Sequence, residues 1–265
     1  MTEIPFMKLH GAENDFLLTW AHSAPSENLP EIARRICART TGIGADGWML
    51  VWTESAGLRT RLFNSDGSEP EISGNGTRCA AAFGLMEGAV AGPDIMVTTA
   101  AGTKTLHLLS REGPRFLFEM NMGLPRLEEL RTTLPLAGRD FDATLLNVGN
   151  PQCVIFVDHF PADWRTAAQE AERHKRFPHR TNVSFVRVLD RHTVDVLFYE
   201  RGAGETHSSG TGSTGAAAAA ILRKAAESPV QVRTPAGIMT LRWDDTVYLT
   251  GPAERIGDGR FLIEH

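Results

Sequence analysis

The sequence predicts an α+β protein made of two similar halves. Three observations carry that reading: many short β-rich runs, a few helical stretches, and an internal repeat. The chain has 265 residues, enough for one large domain or two modest ones with a buried core. The β-rich runs are GWMLVWT, TRLFNS, DIMVTTAAG and RFLFEM, then CVIFVD, VSFVRV, TVDVLFYE, VQVRT and TVYLT, with Gly, Pro, Asn and Asp between them. Residues 77–87, after Gly76, and 213–226, after Gly212, read as helices. Alanine is the best helix former, so TGAAAAAILRKAAE is predicted helical despite Gly215. A third helix is predicted over 163–175, with Asp163 as its N-cap. Strands that mostly meander, with one central helix per half, predict two α+β units related by a pseudo-twofold axis.

The repeat appears on shifting the chain by 136 residues. ENDF then lies over the GNPQC segment with Asn14 on Asn150, and RLFNSDGSE lies over LFYERGAGE with Asn64 on Glu200 and Glu69 on Glu205. SGNGT lies over SGTGS, which puts Ser73 on Ser209. A shift of 135 places VTTAAGTKTL over VRTPAGIMTL. Four ordered segments in nearly constant register argue against chance. The boundary is expected near residues 121–129, where FLFEM runs into Gly123 and Pro125. This gives halves of 1–122 and 123–255, with a last strand at about 256–265 joining the first half and the active site in the cleft between them.

Net charge is −5, with no basic stripe, so nucleic acid is not an expected partner. The first twenty residues carry Glu3, His10, Glu13 and Asp15, which is unlike a signal peptide, and no run approaches a membrane span. Cys37, Cys79 and Cys153 form no close-spaced pair and the histidines show no ligand spacing. Neither a disulfide framework nor a metal site is expected, and a reducing cytoplasm is the expected setting.

The two SG-x-G segments bear on chemistry. A helix start leaves amide N–H groups without intrahelical acceptors and carries partial positive charge. Glycines there let backbone approach an anion, phosphate or carboxylate. Simple helix capping by Ser and Thr is the plainer explanation of either copy alone. Two copies facing each other across a pseudo-twofold would set two side chains on opposite sides of one cleft, as reversal of a stereocentre requires.

At this point the chain resembles the diaminopimelate epimerase family, the amino-acid racemases that work without pyridoxal phosphate. MKLHGAENDF, GIGADG, FNSDGSEPEISGNGTRC, GNPQC, RTNVSFV and YERGAGETHSSGTGSTGAA match its signature blocks in order, from residue 7 to about 253. The resemblance implies a double fold in which each half is a β-rich, barrel-like sheet around a central helix. It implies interconversion of LL- and meso-diaminopimelate in lysine biosynthesis, no cofactor, no metal, a small amino-acid dicarboxylate as partner, and a homodimer. Substrate-binding asparagines fall on Asn14, Asn64, Asn150 and Asn182. A Glu-Arg pair falls on Glu200 and Arg201, the arginine holding the distal carboxylate. Gly74 and Asn75, with Gly210 and Thr211, would supply backbone donors.

Three residues depart from the family pattern. Ser73 and Ser209 stand where the family has catalytic cysteines, and Gln152 stands where it has histidine. Cys79, six residues past Ser73, reads as a small buried side chain. A hydroxyl is a far weaker acid than a thiol and needs an adjacent base. Glu200 is the expected base for Ser209, whereas Gln152 cannot take a proton for Ser73. His207, two residues before Ser209, is a substitute base on one reading and a partly exposed polar side chain on the other. The expected catalytic set is Ser73, Ser209 and Glu200. Three functions follow: an epimerase that works with serines, an isomerase or lyase needing one proton transfer on the same scaffold, and a non-catalytic amino-acid binder.

Overall fold

The computed structural model describes residues 2–263, so residue 1 of the expected first half and residues 264 and 265 of the expected last strand lie outside the described residues. The chain folds as two compact units, residues 2–120 with 251–263, and Asn121–Thr250.

The first unit opens with β1 (Thr2–Gly11), β2 (Asn14–Trp20), α1 (Leu29–Cys37), β3 (Gly47–Glu54) and β4 (Gly57–Asn64). It continues with α2 (Gly74–Met86), β5 (Asp94–Thr99), β6 (Gly102–Glu112) and β7 (Arg115–Gly123). The second contains β8 (Arg126–Leu136), β9 (Arg139–Asn147), β10 (Pro151–Phe156), α3 (Trp164–Glu172), β11 (Asn182–Asp190) and β12 (Thr193–Glu200). It goes on through β13 (Gly204–Thr206), α4 (Gly210–Leu222), β14 (Val230–Thr234) and β15 (Gly237–Trp243). The last strand, β16 (Val247–Ile263), begins in the second unit and returns the chain to the first from Gly251.

In the first unit β1 to β7 are neighbours in chain order, and β16 neighbours β7 while pairing antiparallel with β1, so the sheet closes on itself. Closure leaves no open edge. The β2–β3 and β4–β5 pairs are parallel. Helix α2 packs against β1, β2, β4 and β5, and Gly74 to Gly84 are all buried. A helix buried on every side must be built from small or apolar residues, and GNGTRCAAAFG is mostly that. On the other side of the sheet α1 places Leu29, Ile32, Ala33 and Ile36 against Leu17, Trp48, Leu50 and Phe63.

The second unit orders its strands β8-β9-β10-β11-β12-β14-β15, with β13 beside β12. Its parallel pairs are β10–β11 and β12–β14. Helix α4 packs against β9 to β12, β14 and β15, and Gly210 to Ala220 are all buried. Helix α3 brings Trp164, Ala167, Ala168 and Ala171 onto Phe141 and Phe185.

The repeat register runs through these elements. A shift of 136 carries β4 (Gly57–Asn64) onto β12 (Thr193–Glu200) and α2 (Gly74–Met86) onto α4 (Gly210–Leu222) without change of length. A shift of 135 carries α1 onto α3 in the same way.

Several helical details differ from the sequence expectation, and α3 and α4 stop at Glu172 and Leu222, short of the expected 175 and 226. The central helices begin at Gly74 and Gly210, three residues early, because Ser73 and Ser209 are themselves the N-caps and the glycines fill the first turn. The expected cap Asp163 makes no capping hydrogen bond; its carboxylate pairs with Arg139 at 2.5 Å instead. Helix α1 is present where the sequence reading placed none.

Candidate active site

At the start of α2, Ser73 is extended (φ −121°, ψ 118°) and its Oγ accepts from Gly76 N at 3.1 Å. Ser73 O accepts from Thr77 N at 2.8 Å and from Thr77 Oγ1 at 2.7 Å. At the start of α4, Ser209 is extended (φ −144°, ψ 122°) and its Oγ accepts from Gly212 N at 3.0 Å. Ser209 makes one further bond: its hydroxyl donates to Glu200 Oε1 at 2.6 Å. The bonds of Ser73 stay within its own helix start, so the two serines are alike as caps and unlike in chemistry.

Both capping turns have glycine at the third residue, where a β-carbon would crowd a neighbour. A β-carbon on Gly76 would lie 2.8 Å from Met49 Cε, and one on Gly212 would lie 2.8 Å from Phe198 Cδ1. Neither of these glycines has a positive φ, so what favours glycine here is space rather than backbone conformation.

Two of the sequence-predicted asparagines, Asn14 and Asn150, bond residues of these helix starts. In the first unit Asn75 Nδ2 donates to Asn14 Oδ1 at 3.2 Å, and Asn14 Nδ2 donates to Asp46 Oδ2 at 2.7 Å. Asn75 Oδ1 accepts from Arg78 Nη2 at 2.5 Å. Arg78 is fully buried, which pushes its guanidinium down to about 10, and its Nε donates to Pro252 O at 3.0 Å. In the second unit the equivalent contact joins Asn150 to Thr211, Nδ2 donating to Oγ1 at 3.3 Å. Asn150 Oδ1 accepts from Gln152 Nε2 at 2.7 Å. Gln152 is buried, and its Cγ would stand 3.1 Å from a β-carbon on Gly215. Gln152 therefore orients Asn150 by donating to it.

Asn64 and Asn182 are held more locally. Asn64 Nδ2 donates to Ser68 Oγ at 3.0 Å. Asn182 Oδ1 accepts from Arg201 N at 3.1 Å, and its Nδ2 donates to Pro151 O at 3.0 Å. Asn182 thus shapes the turn that carries Glu200 and Arg201. The sequence reading did not single out Asp46, Arg78 or Glu172; the Oε1 of Glu172 accepts from Gly202 N at 3.2 Å, next to Arg201. Asp46 and Arg78 lie inside the signature blocks GIGADG and SGNGTRC; Glu172 lies outside every block, and no sequence signal marks it.

His207 is exposed and takes Ala236 N on its backbone oxygen at 3.3 Å. The three cysteines are buried and free, and burial pushes each thiol up to about 12. Cys79 is thus a core residue of α2 rather than a nucleophile. Among the described residues no cluster of three or more His, Cys, Asp or Glu could hold a metal ion, and no helix is long and apolar enough to cross a membrane.

Solved structures define the class by its fold. A hydroxyproline epimerase from Agrobacterium vitis, with trans-4-hydroxy-L-proline bound, aligns over 99% of this chain and 93% of its own, with TM-score 0.77 and 14% identity. A phenazine biosynthesis protein of the PhzF family from Bacillus anthracis aligns over 99% and 100%, with TM-score 0.74 and 15% identity. The chain thus has the double α+β fold that these proteins share. More specifically, it belongs to the diaminopimelate epimerase family, whose sequence model matches residues 6–128 and 144–256. The diaminopimelate epimerase of Moorella thermoacetica is 40% identical to it over 280 aligned positions, covering 98% of this chain and 99% of that one.

Proposed function

We propose that the protein epimerises an α-carbon of diaminopimelate, interconverting the LL and meso forms in lysine biosynthesis, and that Glu200 acts through Ser209 as the base for one proton. The observation that carries this reading is the 2.6 Å bond from Ser209 Oγ to Glu200 Oε1 at the mouth of a buried helix. Full-length similarity to diaminopimelate epimerases supports the substrate.

Epimerisation needs a proton taken from the α-carbon and one returned to its other face. Ser209 loses its proton to Glu200 as it takes the α-hydrogen, so no free alkoxide need accumulate. In this reading Ser73 handles the other proton, and Asn14, Asn64, Asn150, Asn182 and Arg201 bind the substrate. The amides of Gly74, Asn75, Gly210 and Thr211 hold its carboxylate and stabilise charge that develops beside it. The resemblance extends the proposal to a reaction without pyridoxal phosphate or metal, a homodimer and a cytoplasmic setting; equilibrium sedimentation tests the dimer.

A second reading is favoured by the difference between the serines. With a carboxylate bonded to Ser209 and, among the described residues, none bonded to Ser73, the site also suits an isomerase or lyase that moves one proton. One experiment separates the two. Purified protein is incubated with LL- or meso-diaminopimelate in deuterated water and the α-hydrogen followed by NMR. Exchange with inversion supports the epimerase. Release of water or ammonia supports the lyase, and binding without exchange leaves a binder.

A further inference from the structure

Glu200 ends β12 and Arg201 begins the turn after it, and the first two backbone amides of that turn are gripped by side chains. Arg201 N donates to Asn182 Oδ1 at 3.1 Å, and Gly202 N donates to Glu172 Oε1 at 3.2 Å. Glu172 is the last residue of α3 and only 2% exposed. A carboxylate there is doubly unfavoured: it is buried, and it sits at the negative end of a helix. It is compensated by Arg180 Nη1 at 3.3 Å on Oε1 and Arg173 Nε at 3.1 Å on Oε2, both from side chains more than half exposed.

The repeat shows that the grip on this turn recurs while its chemistry changes. Residues 65 and 66 are the register equivalents of 201 and 202. In the first unit Ser65 N donates to the backbone oxygen of Asp46 at 2.9 Å, and Arg34 of α1 donates to Asp66 O at 2.9 Å. Asp46 is the equivalent of Asn182, and α1 of α3. In each unit, then, the outer helix reaches the same turn with one charged side chain, a donor in the first and an acceptor in the second.

We propose that Glu172 is a positioning residue for the reaction: its Oε1 holds Gly202 N–H and thereby sets Glu200 against Ser209 and fixes the root of Arg201. The inference builds on the proposed function, since it assigns Glu200 and Arg201 their roles there. Displacing a reacting group by about 1 Å can cost up to about a hundredfold in rate.

Two substitutions separate an acceptor from an ion-pair partner. Glu172→Gln keeps the length and one acceptor oxygen and drops the charge. Glu172→Asp keeps the charge and withdraws the oxygen by one methylene. Circular dichroism and thermal melting establish that both variants fold. Positioning predicts that Glu172→Asp lowers kcat for α-hydrogen exchange by about tenfold or more and raises KM, while Glu172→Gln stays within about twofold of wild type. Equal rates in all three proteins, or activity kept by Asp and lost by Gln, overturns the assignment. Amide hydrogen exchange at Gly202, measured on the same proteins, reads the clamp without reference to turnover. If wild type proves inactive, the functional reading fails by itself, and the clamp is then decided by Gly202: protection lost in Asp and kept in Gln supports it, and equal protection refutes it.

Discussion

Ser209 Oγ lies 2.6 Å from Glu200 Oε1 and accepts the Gly212 amide at 3.0 Å, so its proton and one lone pair are both committed. A hydroxyl has one proton to give, and here it points at a carboxylate. Glu200→Gln keeps an acceptor oxygen and the shape of the turn but removes the proposed base. The expected loss in kcat is about 10²- to 10⁴-fold with little change in melting temperature. Deuterium exchange at the substrate α-carbon, beside a thermal melt, checks both halves of that statement.

As helix caps the two serines are equivalent, each bonding the third amide of its helix. Ser73→Ala and Ser209→Ala should therefore each cost about 1 kcal/mol of stability by urea titration. Their activities should diverge. Ser73→Ala retains the Ser209–Glu200 pair, so it continues to exchange the α-hydrogen of one stereoisomer with solvent without inverting it. Ser209→Ala loses exchange of that stereoisomer. Equal behaviour of the two variants with both stereoisomers would remove the assigned roles.

The repeat was the most legible part of the sequence because it is carried by residues whose types are forced. Gly212 has no room for a β-carbon, Gly76 has room only if Met49 moves, and Ser73 and Ser209 must offer an acceptor to the third amide. Helix α1 was not legible in the same way. Its start, Asn28, is left-handed (φ 57°) and makes no side-chain cap; what marks it is the spacing Leu29, Ile32, Ala33, Ile36, with Pro30 and Glu31 in the first turn and Arg34 and Arg35 in the last. Asp163 misled because a carboxylate before a helix can bond to a cation as readily as to an amide, and Arg139 wins it. Glu172 was invisible because its role is set by Gly202, thirty residues away in sequence.

Asp15 makes a prediction about acid. Burial alone would raise its pKa, but hydrogen bonds from Arg39 and Lys8, with their charges, outweigh that and hold it below the ordinary carboxylate value. Lys8 Nζ and Arg39 Nη1 both lie 2.9 Å from Asp15 Oδ2. A group whose pKa is lower folded than unfolded adds stability above the unfolded value, and the gain disappears as pH falls through the folded one. Wild type should therefore lose stability below about pH 4 more steeply than Asp15→Asn, which lacks the titrating group. At neutral pH the variant should be weaker by about 2 kcal/mol, a charged hydrogen bond's worth, since Arg39 is largely exposed and screened. Urea midpoints measured from pH 7 to pH 3 test the slope and the offset together.

Gly76 and Gly212 occupy equivalent positions, yet alanine should be accepted at one and refused at the other. In both, alanine gains about 1 kcal/mol of helix propensity over glycine. At 76 the nearest clash is Met49 Cε at 2.8 Å, the free end of a flexible side chain, and the next contacts are at 3.3 and 3.4 Å. Methionine can swing that methyl aside, so Gly76→Ala should be close to neutral. At 212 the clashes are Phe198 Cδ1 at 2.8 Å, Cε1 at 2.9 Å and Ser209 Cβ at 2.9 Å. Phe198 is 1% exposed and its ring has nowhere to turn. Relief must then come from the helix start itself, which moves Ser209 away from Glu200. Gly212→Ala should cost about 1–3 kcal/mol net of the propensity gain and lower kcat with it. Melting curves and exchange rates of the two variants, measured side by side, decide the point: equal losses at 76 and 212 would mean that the rigid wall at Phe198 does not set the position of Ser209.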